Sequence, residues 1–81
     1  MLFLDVKVTT NTNTMNDTYW VFCSELQKFV RVGKAKLEEL RCYAVGADSF
    51  ITEHRGKFSE KFCTYRFQES EIWKVKKLLG F

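Results

Sequence analysis

Eighty-one residues leave room for one hydrophobic core and exclude a second domain. Aromatic residues make up 16% of the chain and proline is absent, a composition that argues against disorder, and no apolar run approaches the ~20 residues that a transmembrane helix needs. The net charge of +3 hides an asymmetry: residues 1–27 sum to −2 and residues 28–81 to +5, which points to an acidic partner for the later two-thirds.

Leu2, Leu4, Val6 and Val8 alternate with Phe3, Asp5, Lys7 and Thr9. This period of two predicts a strand over 2–9 with one buried face. The opening Met-Leu-Phe-Leu runs straight into Asp5 and Lys7 and lacks the pattern of a signal peptide. Residues 9–17, TTNTNTMND, have the composition of a loop, because Asn and Asp side chains bond to nearby backbone.

Residues 17–32 carry two readings. As a helix, Tyr19, Phe22, Cys23, Leu26, Phe29 and Val30 share a face and Asp17 caps the start. As a hairpin, strands at 18–24 and 28–32 flank a turn at Glu25-Leu26-Gln27. Residue type carries the hairpin reading, since YWVFC and FVRV are nearly all aromatic or β-branched.

Gly33 then breaks the run, and Leu37, Leu40 and Ala44 recur at helical spacing, which predicts a helix over 34–45 closed by Gly46. Lys34 and Glu38 stand four apart and are placed to pair. Residues 49–54 and 61–68 read as strands joined through Arg55-Gly56-Lys57. In the second of these, Cys63, Tyr65 and Phe67 share one face while Phe62, Thr64 and Arg66 share the other. Ser70 is placed to cap a last helix over 70–79, with Ile72, Val75 and Leu79 facing inward and Gly80 ending it. The expected fold is therefore a single α+β domain, an antiparallel sheet of about five strands with two helices packed against it. The hairpin-then-helix order occurs twice.

Cys23, Cys42 and Cys63 are odd in number and contain no Cys-x-x-Cys pair, so they read as buried, reduced thiols in a cytoplasmic protein. Together with His54 they lack the closely spaced ligand pairs of a zinc site. His54 is the sole histidine, and no nucleophile elbow, phosphate-cradling glycine loop or His-Glu-x-x-His helix is present. The chain is thus expected to need no cofactor or metal and to act by binding rather than catalysis. The residues expected to bind are Arg31, Lys34, Arg55, Lys57, Lys61, Arg66, Lys74 and Lys77, interleaved with Tyr43, Phe58, Tyr65 and Trp73. Cations neutralise phosphate or acidic side chains, and aromatics stack on bases or anchor protein interfaces.

In size, lack of proline, slight basicity and Asn/Thr-rich loops such as TTNTNTMND, the chain resembles the small accessory, counter-defence proteins of T4-like bacteriophages. The resemblance implies a protein that binds and disarms a host nuclease, toxin or other defence component in the host cytoplasm, in some cases together with RNA. The alternative is a stand-alone RNA- or DNA-binding module. An antiparallel sheet also leaves an edge through which a homodimer can form.

Overall fold

The computed structural model describes residues 1–81. In chain order the elements are β1 (Leu2–Asn11), β2 (Asn16–Cys23), β3 (Lys28–Val32), α1 (Lys34–Tyr43), β4 (Gly46–Ala47), β5 (Ile51–Arg55), β6 (Phe58–Phe67), a 3-10 turn (Glu69–Glu71) and α2 (Ile72–Leu79). The sheet order is β3-β2-β1-β6-β4, with β5 also on β6, and every pairing is antiparallel. This is the expected single α+β domain. The sixth strand is the two-residue β4, which shares the outer edge of β6 with β5: Gly46 lies opposite Arg66, whereas Ile51 lies opposite Phe62.

β1 holds the centre because its alternation suits a strand paired on both sides. Leu2, Leu4, Val6 and Val8 all point into the core. Register carries that parity outward. Val6 faces Val21 on one side and Cys63 on the other, and Leu4 faces Tyr65. Both helices pack over this face, with Leu37 and Leu40 from α1 and Val75 and Leu79 from α2 joining one buried cluster. Ile72 and Ala44 pack at its margin.

The hairpin reading of 17–32 holds. Tyr19, Val21 and Cys23 turn toward the core and Trp20 and Phe22 turn away, a separation that a helical face would not make. Ser24 and Gln27 close the turn, with the Gln27 side-chain amide donating to the Ser24 carbonyl at 2.6 Å. Elsewhere, the β1–β2 and β5–β6 hairpin tips are tied together: the Thr12 backbone N–H and hydroxyl both donate to the Lys57 carbonyl, at 2.8 and 2.7 Å.

Three local expectations are corrected. Gly46 does not end α1; Ala44 does, in an extended conformation, and Gly46 enters β4. Arg66 crosses Gly46 closely: an added Cβ would lie 2.7 Å from Arg66 Nη2, so a larger residue there would push the guanidinium aside. Ser70 does not cap α2 but lies within the 3-10 turn, which lacks a side-chain cap. Lys34 and Glu38 form no ion pair; the side-chain pairs present are Arg55–Glu53, Arg66–Asp48 and Lys74–Glu71. Gly80 does close α2, at φ 76°, and the Phe81 N–H returns to the Lys76 carbonyl at 2.9 Å.

The core row of β1 sets the stability of so small a chain. Leu4→Ala empties a fully enclosed site and should cost about 2–5 kcal/mol in chemical denaturation. Trp73→Ala removes a larger side chain that is 61% exposed, and should cost under about 1 kcal/mol.

Candidate functional site

Both helices lie on one side of the sheet, so the opposite face is uncovered. It is built from the alternate residues of each strand. Across β3, β2, β1, β6 and β5, one row reads Arg31, Trp20, Lys7, Phe62 and Ile51; the row beside it reads Phe29, Phe22, Asp5 and Thr64. Phe29 and Ile51 stand 68% and 69% exposed at the two margins. Between them runs a groove of about 640 Å³ whose wall is completed by Asp48 and Ser49. Trp20 and Phe29 are in tilted contact, with ring centroids 5.8 Å apart.

Four basic and four acidic side chains belong to this open face: Lys7, Arg31, Arg55 and Arg66, with Asp5, Asp48, Glu53 and Glu60. It is therefore electrically neutral. Arg66 Nη1 donates to Asp48 Oδ1 at 2.7 Å, which fastens the bend between β4 and β5 to the sheet. Arg55 Nη2 reaches Glu53 Oε2 at 3.3 Å on an exposed surface, a contact worth little in water. Glu53 and Glu60 lie directly opposite one another as like charges.

The eight cationic residues expected to bind are thus divided. Arg31, Arg55 and Arg66 lie on the open face. Lys57 is at the β5–β6 tip, and Lys61, with the parity of Cys63, turns toward the helix side. Lys34 opens α1, an N-terminus without an acidic residue in its first turn. Lys74 and Lys77 are on α2. Lys74 is engaged locally: its ammonium is 3.2 Å from Glu71 Oε2 and stands 5.6 and 5.7 Å from the centres of the Tyr43 and Trp73 rings. With Lys36 and Arg41 on α1 and Lys76 on α2, the helix layer is the larger gathering of cations.

Of the interleaved aromatics, Tyr65 is a core residue, Trp73 and Phe58 are exposed, and Tyr43 packs at the core margin. Trp20, Phe22 and Phe58 already exceed what so small a core needs; what the sequence alone leaves unread is that they join Phe29 and Phe62 in one open aromatic surface. Its signal was present, since Trp20, Phe22, Phe29, Phe58 and Phe62 all fall on the outward parity of strands whose inward parity was already apolar.

Cys23 and Cys63 are buried as expected, whereas Cys42 is exposed on α1, which corrects the expectation of three sheltered thiols. No three of the His, Cys, Asp and Glu side chains are grouped so as to hold a metal ion. His54 Nδ1 lies 3.0 Å from Ser59 Oγ on the exposed hairpin, where the neighbouring Glu53 turns to the other face toward Arg55. No helix is long and apolar enough to cross a membrane. Comparison with protein-family models, with curated proteins and with solved structures found no match. The class defined by the architecture is a small α+β domain with a one-sided antiparallel sheet.

Burial, and then the Asp48 carboxylate, push the Cys63 thiol up from 9.0 to about 11, with Arg41 opposing in part. The folded state therefore favours the neutral thiol. Its contribution to stability is complete below pH 9.0 and is lost as pH rises toward about 11. The denaturation midpoint should fall across that window, and less steeply in Cys63→Ala. Tyr19 and Tyr65, also raised by burial, sustain a further fall above their ordinary 10.0 in both proteins.

Proposed function

We propose that this is a non-catalytic binding protein that inhibits a nucleic-acid-handling host enzyme or toxin. It engages that partner through the cations of the helix layer and the β5–β6 tip. The observation that carries the reading is the partition of charge. The open face holds equal numbers of basic and acidic groups, so the whole net charge of +3 belongs to the helix side and the tips. A surface of that sign attracts an acidic protein patch, or phosphate already held by an enzyme, and speeds encounter with either. The resemblance to counter-defence proteins of T4-like phages supports a host enzyme as the partner and the host cytoplasm as the place.

A second reading, a stand-alone module for single-stranded RNA or DNA, is favoured by Trp20, Phe29 and Phe62 beside Lys7 and Arg31 on the open sheet. Flat aromatic groups flanked by cations can stack bases and neutralise phosphates. The near-zero charge of that face weighs against it, because phosphate neutralisation supplies most of such affinity.

Capture from bacterial lysate after nuclease treatment, followed by assay of the captured enzyme, separates the two. The protein should lower the enzyme's activity on nucleic acid. A variant with Lys57, Lys61, Lys76 and Lys77 all changed to Glu should bind at least tenfold more weakly, equivalent to about 1.4 kcal/mol, with an unchanged circular dichroism spectrum. Undiminished inhibition by that variant would remove the basic surface from the mechanism. Salt-sensitive binding of naked oligonucleotide, lost with Arg31→Glu, would establish the second reading instead.

A further inference from the structure

We propose that the open face of the sheet is the interface with a second copy of this chain, packed sheet on sheet about a two-fold axis that crosses the strands at Val6. The order of residues along the face favours this pairing, independently of what the helix layer binds.

On β1 the outward residues in sequence are Phe3, Asp5, Lys7 and Thr9. On β6, at the same levels, they are Arg66, Thr64, Phe62 and Glu60. On β2 they are Phe22 and Trp20, level with Asp5 and Lys7, and on β3 Phe29 and Arg31 continue those two levels. A two-fold axis lying in the interface, perpendicular to the strands and midway between Asp5 and Lys7, exchanges these levels while keeping each strand over its own copy. Asp5 then meets the second copy's Lys7, and Lys7 its Asp5. Phe22 meets Trp20, Phe29 meets Arg31, Thr64 meets Phe62, and Arg66 meets Glu60. Every charged group named here finds an opposite charge or an aromatic ring, and no like charges are opposed.

Three features of the single chain acquire a reason. Asp5 and Lys7 are in no ion pair within the chain, although they occupy the middle of a largely aromatic band; Asp5 accepts only a 3.3 Å bond from the Thr64 hydroxyl. Glu60, which opposes Glu53 and has no partner within the chain, gains the second copy's Arg66, whose guanidinium keeps its bond to Asp48. The exposure of Phe29 and Ile51 ends when another sheet covers them.

Scale agrees as well. Four strand spacings of about 4.8 Å span roughly 20 Å, and four alternate levels at about 3.4 Å per residue span as much. With side-chain margins the footprint is on the order of 600 Å², close to the ~800 Å² per partner of a standard interface. Twisted sheets pack with their strands about 30° apart, which displaces contacts least near the axis. The central strand is where the reciprocal Asp5–Lys7 contacts fall. Symmetric reuse of one patch is the usual geometry of a homodimer.

The test is an exchange of charge read by sedimentation velocity at tens of micromolar protein. The unaltered chain should sediment at twice its 9.6 kDa mass. Asp5→Lys alone and Lys7→Asp alone each set like charges against one another and should weaken self-association roughly 30-fold or more. Mixing the two single variants should restore a dimer containing one of each, and the double variant Asp5→Lys/Lys7→Asp should self-associate again. Those recoveries show that the single variants are folded and that the two positions meet. An unaltered chain that stays monomeric, single variants that dimerise undiminished, or a mixture that does not recover would each overturn the proposal. So would a monomer whose Trp20 fluorescence is quenched by single-stranded oligouridine, with the face then belonging to nucleic acid.

Discussion

The alternation of apolar and polar side chains along β1 is the constraint on which the molecule depends. A strand paired on both edges satisfies its backbone hydrogen bonds within the sheet, so the only question left to it is which face is dry. Leu2, Leu4, Val6 and Val8 decide that, and a shift of one residue in register would turn all four into solvent. Because β2 and β6 pair directly with β1, its parity dictates theirs. Val21 and Cys23, and Cys63, Tyr65 and Phe67, become core residues by register rather than by hydrophobicity alone. The two helices follow, packing Leu37, Leu40, Val75 and Leu79 onto that face.

One consequence concerns where the aromatic residues go. The chain contains eight Phe, three Tyr and two Trp, yet only Tyr65 and Phe67 are among its buried residues. The core is closed mainly by Leu and Val, which pack the narrow space between sheet and short helices without needing partners for a hydroxyl or an indole N–H. Aromatic side chains are concentrated instead on the uncovered face and its margins. Surface of that kind is costly to leave in contact with water, and a monomeric soluble protein rarely keeps so much of it contiguous unless something covers it.

Much of the fold was legible in the sequence because the strands announce themselves by period and the helices by spacing. β1, β3 and the inward faces of β6 and α2 follow directly from side-chain type. The features that were not legible are those that depend on pairing across the sheet. Gly46 reads as a helix terminator until Arg66 is seen crossing it, and the identity of that neighbour is fixed by a strand twenty residues further on. Ser70 has the right chemistry for a cap, but Gln68 to Glu71 tighten into a 3-10 turn that leaves its side chain unused. The cationic residues show the same limit more plainly. In sequence they form one basic two-thirds of the chain, whereas strand parity sends Arg31, Arg55 and Arg66 to one face and leaves the lysines of α1 and α2 on the other. Sequence order conveys sign and amount of charge; only the register of the sheet conveys side.

Separation of the two surfaces has a further physical implication. A neutral, aromatic face opposite a basic helix layer would let the proposed self-association and partner binding proceed without competing for the same residues. Packing two open faces together turns both helix layers outward, on opposite sides of the pair. Two equivalent basic surfaces held at a fixed distance would meet an oligomeric or repetitive target with an effective concentration that a single copy lacks, so that modest individual contacts would combine into tight engagement. A chain of this size has little area to devote to any one partner. Division of labour between the faces of its only sheet would let it bind strongly while keeping each contact small.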